Sequence, residues 1–320
     1  MSRFPIQRIL FVLSIVTSQI QSFALVSHTR GFCATSPPTE YLKAEYRRLS
    51  ALDSQSCNST ASESRAAITP IEIDTWFHII SDEAHTESVS DAMIISQLSY
   101  LQDAYWNATI SYRLRGVTRS INNTWARNED EMAMKAALRR GNYRTLNIYF
   151  HTDLRASSGA GARATANITN REAGALGQPS SSMLGFCTLP DPSINASSSP
   201  TSYIKDGCNV LAKTMPGGSL AHYNRGGTAI HEIGHWNGLL HTFEGESCSP
   251  NNEGDFIADT PQQSTPTEGC PVLKDSCPDL PGVDAIHNFM DYSSDECYES
   301  FTPGQIKRMR SMWFAMREGK

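Results

Sequence analysis

The chain has 320 residues, enough for one large or two modest domains, and its 39% hydrophobic and 19% charged content is ordinary for a soluble globular protein. A formal charge of −6 argues against nucleic acid as a partner. Eight cysteines without a C-x-x-C pair point to disulfides, not to a cysteine-built zinc site.

Residues Met1–Ala24 read as a secretory signal. Arg3 and Arg8 give a positive start, Ile9–Val16 an apolar centre, and Ser22-Phe23-Ala24 a small-x-small cleavage site. That apolar run is short for a membrane span, the alternative reading. The mature chain is therefore expected to be extracellular and free of the membrane. Five N-x-S/T sequons, at Asn58, Asn107, Asn122, Asn167 and Asn195, fit export and N-glycosylation.

Residues 25–67 differ in character. Ser/Thr/Pro-rich runs flank a short helical patch, Thr39–Leu52, in which Tyr41, Ala44 and Leu49 are interrupted by charges. Such a segment is expected to bury little and to serve as a pro-region or N-terminal arm. The alternative is an ordered N-terminal edge of the catalytic domain, which otherwise spans 68–320.

The globular pattern starts at Ile71–Ile80, whose alternation predicts a half-buried strand. Asp91–Trp106 carries Ile94, Leu98, Leu101 and Tyr105 on one helical stripe. A second strand is expected at Ile110–Val117, a helix over Asn128–Arg140 ending at Gly141, and a third strand at Leu146–Thr152. This order suits a mixed sheet backed by helices, an α+β arrangement. Ala156–Ser182 and Pro190–Ser202 read as loops. Met183–Leu189 and Tyr203–Lys213 read as short strands, the latter as the edge that would pair with a peptide substrate.

Gly226–Phe243 holds His231, Glu232, His235, Gly238 and His241 in the pattern H-E-x-x-H-x-x-G-x-x-H. On a helix, His231 and His235 share one face and can bind one ion. Gly238 can break the helix and swing His241 back as a third ligand, because glycine accepts left-handed dihedrals cheaply. Three imidazoles with a fourth position open describe catalytic zinc, and Glu232 is placed to act on a water there, not to bind the metal. His78, His151, His222 and His287 lack ligand spacing and are expected to be structural. Beyond His241 the pattern is irregular until Thr302, where Thr302 and Gln305 form a capping box before a helix with Ile306, Met309 and Trp313 on one stripe.

The long zinc motif followed by a methionine turn at His287–Ser293, with Met290 as the turn residue, is a metzincin signature. With Gly254–Pro261 (GDFIADTP) and Phe301–Met309 (FTPGQIKRM), these segments resemble the pappalysin family, especially its small secreted members. The resemblance covers about Ile68 to Trp313. It implies a metzincin fold with an active-site helix and an irregular C-terminal subdomain, an endopeptidase acting on protein or peptide substrates, one catalytic zinc, and structural calcium. Met290 would form an apolar floor under the zinc, and Tyr292 would steady the oxyanion, with a simply packed tyrosine as the alternative. Asp255, Asp259 and Thr260, with Glu244 nearby, are the calcium candidates, against a solvated acidic loop. Of the 15 pairings six cysteines allow, the resemblance implies Cys248–Cys277 and Cys270–Cys297, leaving Cys187 with Cys208. Cys33 has two readings, a latency ligand for the zinc, favoured in its thiolate form by Arg30, and a disulfide with Cys57. Asp295 and Glu296, soon after the methionine turn, suggest a preference for a basic residue just after the scissile bond. Two rival functions are an inactive zinc-bearing adhesion module and a zinc hydrolase of a non-peptide substrate. The sequence leaves the oligomeric state open.

Overall fold

A computed structural model describes residues 32–57, 69–155 and 183–320. The signal segment, Arg30, Asn58, Asn167 and the whole Ala156–Ser182 loop lie outside the described residues, as does the side chain of Cys57. No helix among the described residues is long and apolar enough to cross a membrane.

The elements, in chain order, are α1 (Glu40–Cys57), β1 (Ile71–Ser81), α2 (Asp91–Tyr105), β2 (Ile110–Ile121), α3 (Asn123–Ala126), α4 (Glu131–Leu138), β3 (Leu146–His151), β4 (Gly185–Cys187), β5 (Cys208–Leu211), α5 (Gly227–Trp236) and α6 (Pro303–Met312). The sheet runs β2-β1-β3-β5-β4, with the first four strands parallel and β4 antiparallel to β5. β3 is buried along its whole length, as a central strand covered on both faces must be. α2 starts where the Ser90 hydroxyl accepts from Met93 N, and it buries Ile94, Leu101 and Tyr105 against the sheet. One contiguous apolar core joins α2, the sheet, α5, the methionine turn and α6. α6 opens on the expected box: Thr302 accepts from Gln305 N while the Gln305 side chain accepts from Thr302 N.

Four expectations are corrected. The helix expected at Asn128–Arg140 begins at Glu131, because Asn128 sits at φ +59° and Asp130 is the residue that caps, accepting from Ala133 N. A separate four-residue helix, α3, precedes it, capped by Asn122. β2 continues to Ile121 and pairs with β1 to its end, with one register shift between Thr75 and Trp76. The stretch 203–213 keeps only Cys208–Leu211 as strand, and β5 lies inside the sheet, so the edge is β4. Finally, the segment before Ile71 buries a real surface. Leu42, Tyr46 and Leu49 pack against Leu240, Met312 and Met316, whereas Tyr41 is 70% exposed.

Three disulfides close the structure, Cys187–Cys208, Cys248–Cys277 and Cys270–Cys297. The first ties the edge strand to β5, and the other two brace the irregular stretch between α5 and α6, where little regular structure exists to do so. Cys33 carries a free thiol.

Candidate active site

Helix α5 is buried throughout. It is entered through Gly226 at φ +97°. Its first amides are met by Asp295, whose Oδ2 accepts from Arg225 N at 2.6 Å and Gly227 N at 3.3 Å, a carboxylate where the helix dipole favours one. His231 Nδ1 donates to the Phe289 carbonyl at 2.7 Å, and His235 Nδ1 to the Leu239 carbonyl at 2.9 Å. Each Nδ1 therefore carries the proton and leaves Nε2 as a bare lone pair.

The helix ends at Trp236, and Gly238 turns the chain at φ +91°, where a Cβ would also strike Met312. That turn returns His241, whose Nε2 lies 3.1 Å from His235 Nε2, itself 3.2 Å from His231 Nε2. Burial, together with the neighbouring imidazoles, holds His231 and His235 well below the usual histidine range, hence neutral. Lone pairs gathered so closely repel one another unless a cation sits among them, so the donor set fits zinc. Met290 is fully buried beneath, with its sulfur where a Cβ on Gly234 would go. Asn288 accepts from Met290 N, and Asp291 accepts from Thr267 and Gln263, fixing the turn.

Glu232 is also fully buried, and burial pushes its carboxyl up to about 8, opposed by hydrogen bonds from Cys33 and Thr35. Tyr292 Oη stands 3.3 Å from His241 Nε2 and 3.4 Å from the Cys33 carbonyl. The N-terminal segment fills the space in front. Phe32 O accepts from Leu184 N and Gly185 N, Ala34 N donates to Gly185 O, and Cys187 N donates to Thr35 Oγ1. Cys33 is thereby bridged in parallel to the edge strand β4, with its Sγ 3.4 Å from Glu232 Oε2. The Cys33 sulfur and one nitrogen of each zinc-site histidine lie within 4.8 Å of one another. Burial and the Glu232 charge push the Cys33 thiol up, so its ionisation needs a cation beside it.

The calcium candidates separate. Asp255 Oδ1 accepts from Ile257 N and Thr260 Oγ1, and its buried Oδ2 has no hydrogen-bond partner. Thr242 Oγ1 and Gln263 Oε1 are buried and unpartnered too, and these residues with Glu244 line one cavity of about 70 Å³. Burial pushes Asp255 up to about 7. Asp259 is elsewhere. Its oxygens accept from Thr302 Oγ1 and Gly304 N at the start of α6, where an acid suits the helix end. Asp295 keeps Oδ1 buried and unpartnered, while Glu296 pairs with the exposed His222. Among the sequons, Asn107 and Asn195 are exposed, and Asn122 uses its oxygen as the α3 cap.

Sequence reasoning missed three features. Thr35 reaches Glu232 Oε2 at 3.3 Å. Gly185 allows β4 to pass so close that a Cβ would collide with the Glu232 carboxyl. Arg317 and Asp206 form a buried pair behind α5, with Nη2 3.0 Å from Oδ1. The Arg317 guanidinium lies 3.6 Å from the Trp236 ring centre and donates to Trp236 O, and Asp206 also accepts from Trp236 Nε1. No local spacing announces any of these.

The sequence profile described as pregnancy-associated plasma protein-A (Peptidase_M43) matches residues 200–313. An extracellular metalloprotease of Aspergillus oryzae is 78% identical over 320 residues, all of both chains. Extracellular metalloprotease 1 of Coccidioides posadasii is 40% identical over 293 residues, 91% of this chain and 92% of that one. Among solved structures, mature Tannerella forsythia mirolysin in complex with a cleaved peptide superposes with TM-score 0.56 at 27% identity, covering 77% of this chain and 92% of its own. A promirolysin mutant from the same organism gives TM-score 0.56 at 26% identity, covering 86% and 89%. With a full-length relative this similar, and a metzincin neighbour sharing its fold, the chain belongs to the pappalysin family of extracellular zinc metalloproteases.

Proposed function

We propose that the protein hydrolyses internal peptide bonds with zinc held by His231, His235 and His241, and that Glu232 moves the proton. The observation that carries this is the convergence of three Nε2 atoms beside a buried carboxylate that no cation pairs among the described residues. Zinc there supplies a Lewis acid that acidifies a water and polarises the scissile carbonyl. Glu232 accepts the proton from the attacking water and delivers it to the leaving amine. Tyr292 Oη, beside His241, donates to the oxygen on which charge develops. Met290 and the walls of α5 exclude water from behind. Leaving groups and oxyanion alike are thus served by groups fixed before substrate arrives.

We read residues 25–67 as a pro-region and Cys33 as its latency ligand. Its free thiol at the histidines supports this over a pairing with Cys57. So does the wider coverage of this chain by promirolysin than by mature mirolysin, 86% against 77%. The Asp255 cavity, with three unpartnered buried oxygens, fits a hard cation such as calcium.

Glu232→Ala is the test. Purified protein should keep one zinc by elemental analysis and lose casein hydrolysis by several orders of magnitude. A zinc-loaded variant with near-normal turnover would overturn the assignment.

A further inference from the structure

The inhibitory segment has two parts with different work. The part at the histidines pairs with β4, stacks Phe32 on Tyr292 and sets Cys33 and Thr35 3.4 and 3.3 Å from Glu232. A second contact lies farther along, under α1. Leu42, Tyr46 and Leu49 recur at i, i+4 and i+7 and make one stripe. That stripe fills an apolar groove of Leu240, Met312 and Met316, with Leu189 and Phe256 at its rim. Leu240 is the residue immediately before His241, so the groove adjoins the zinc-ligand turn. The Tyr46 ring stacks on Phe256 with centroids 5.5 Å apart, and Arg308 lies 5.2 Å from its face. Arg47 forks onto the Glu253 carboxylate with two bonds of 2.7 Å, and Ser50 Oγ donates to Phe256 O. Phe256 holds φ +62°, a conformation costly for a bulky residue, and these contacts pin it.

The two parts are joined stiffly. Ser36-Pro37-Pro38 has little freedom, and Thr39 starts α1 with its hydroxyl accepting from Leu42 N. The covalent link to the catalytic domain leaves from the other end, between α1 and β1. A cut there does not separate plug from anchor.

We propose that the α1 groove is a retention site for the excised segment: cleavage between α1 and β1 leaves residues 32–57 seated as a noncovalent inhibitor. Activity then appears only when that segment dissociates or is itself destroyed. This rests on reading Cys33 as the latency ligand. A short stiff linker raises the effective concentration of the plug, so the joined segment binds on the order of 100-fold or more tightly than the plug alone.

The experiment uses the full secreted chain with a recognition sequence for a site-specific protease placed within residues 59–66. After complete nicking, the fragment is followed by size-exclusion chromatography with mass detection, and activity by a quenched fluorogenic peptide across a dilution series. We expect the fragment to co-elute at micromolar concentration and activity to emerge on dilution. Leu42→Ala with Tyr46→Ala should release the fragment at concentrations on the order of 100-fold higher. Glu253→Arg should weaken retention, and adding Arg47→Glu to the same chain should restore it, a rescue that misfolding cannot produce. Nicked Cys33→Ala should release its fragment and gain activity at a higher concentration than nicked wild type, because the sulfur's hold on the site is lost while Phe32 and Ala34 still pair with β4. If the two need the same dilution, the reading of Cys33 falls and the anchor stands. Release of the wild-type fragment at micromolar concentration with full activity overturns the anchor, as does retention unmoved by the groove and charge-swap variants.

Discussion

Replacing Arg317 by methionine should damage both the fold and the zinc site. The guanidinium is 1% exposed and neutralises Asp206, itself 4% exposed, while donating to the carbonyl of Trp236, the last residue of α5. Burial alone would push the Asp206 carboxyl up, but Arg317 and Arg139 outweigh it and hold it below the usual carboxylate range. Without Arg317, the cation left beside Asp206 is Arg139 at 3.4 Å, a longer and poorer contact. Breaking a buried pair in this way costs about 3–5 kcal/mol. At roughly 2–4 °C per kcal/mol for a domain of this size, Tm should fall by about 6–20 °C in a thermal scan. Zinc affinity, read by competition with a chromogenic chelator, should fall too, because Gly238 and His241 follow directly from the Trp236 end. Asp206→Asn added to Arg317→Met should recover part of the loss, since the buried carboxylate is then gone and Arg139 keeps the Asp206 and Asn142 carbonyls. The sign with pH is set by the depressed carboxyl. Its stabilisation is present above the ordinary aspartate value and lost as pH falls through the folded one, so the gap between wild type and variant should narrow in strong acid. A Tm shift below about 2 °C would refute the reasoning.

Burial drives His78 down to about 4, so its contribution is complete above the unfolded value near 6.5 and is lost as pH falls towards 4. The urea midpoint should decline across that window by about 3 kcal/mol equivalent, and His78→Gln should flatten the slope. Calcium added to chelated protein should raise Tm, by about 2.7 kcal/mol equivalent at a hundredfold excess over Kd. Asp255→Asn should abolish that rise and leave the chelated protein no less stable; a calcium response kept by the variant would exclude the cavity. Asp295, pushed to about 6 by burial, is ionised only above that value. A preference for Arg or Lys after the scissile bond should therefore appear above pH 6 and fade below, and a peptide-library profile with only apolar residues there at pH 8 would end that idea.

What could be read from the sequence was whatever a short window decides. The zinc motif places its residues within eleven positions, so helical spacing and one glycine are enough to bring three imidazoles together. β1 and α2 were legible for the same reason, because their burial follows an unbroken period. The start of α4 was not, because Asn128 and Asp130 both suit a cap and only the left-handed turn at Asn128 decides between them. The buried face of α1 is not legible locally: of Tyr41, Ala44 and Leu49, Leu49 is buried and the other two are exposed. In a helix whose apolar residues are spaced among charges, the groove of Leu240, Met312 and Met316 selects the face, and those residues lie some 200 positions or more downstream.

Pairing across the sheet and across the chain is illegible for a stronger reason. Asp206 meets Arg317 across 111 positions, and neither has a neighbour in sequence that marks it. Gly185 is the sharpest case. In the sequence it is one glycine in a short apolar run, and a strand interior normally loses stability by having one. In the structure it lets β4 pass against the Glu232 carboxyl, where any side chain would displace the base. The same bare backbone gives Phe32 and Ala34 their hydrogen bonds. On the proposed function, the edge that the N-terminal segment occupies and the base that it covers meet at one residue, and a peptide substrate seeking that edge must first find it vacated.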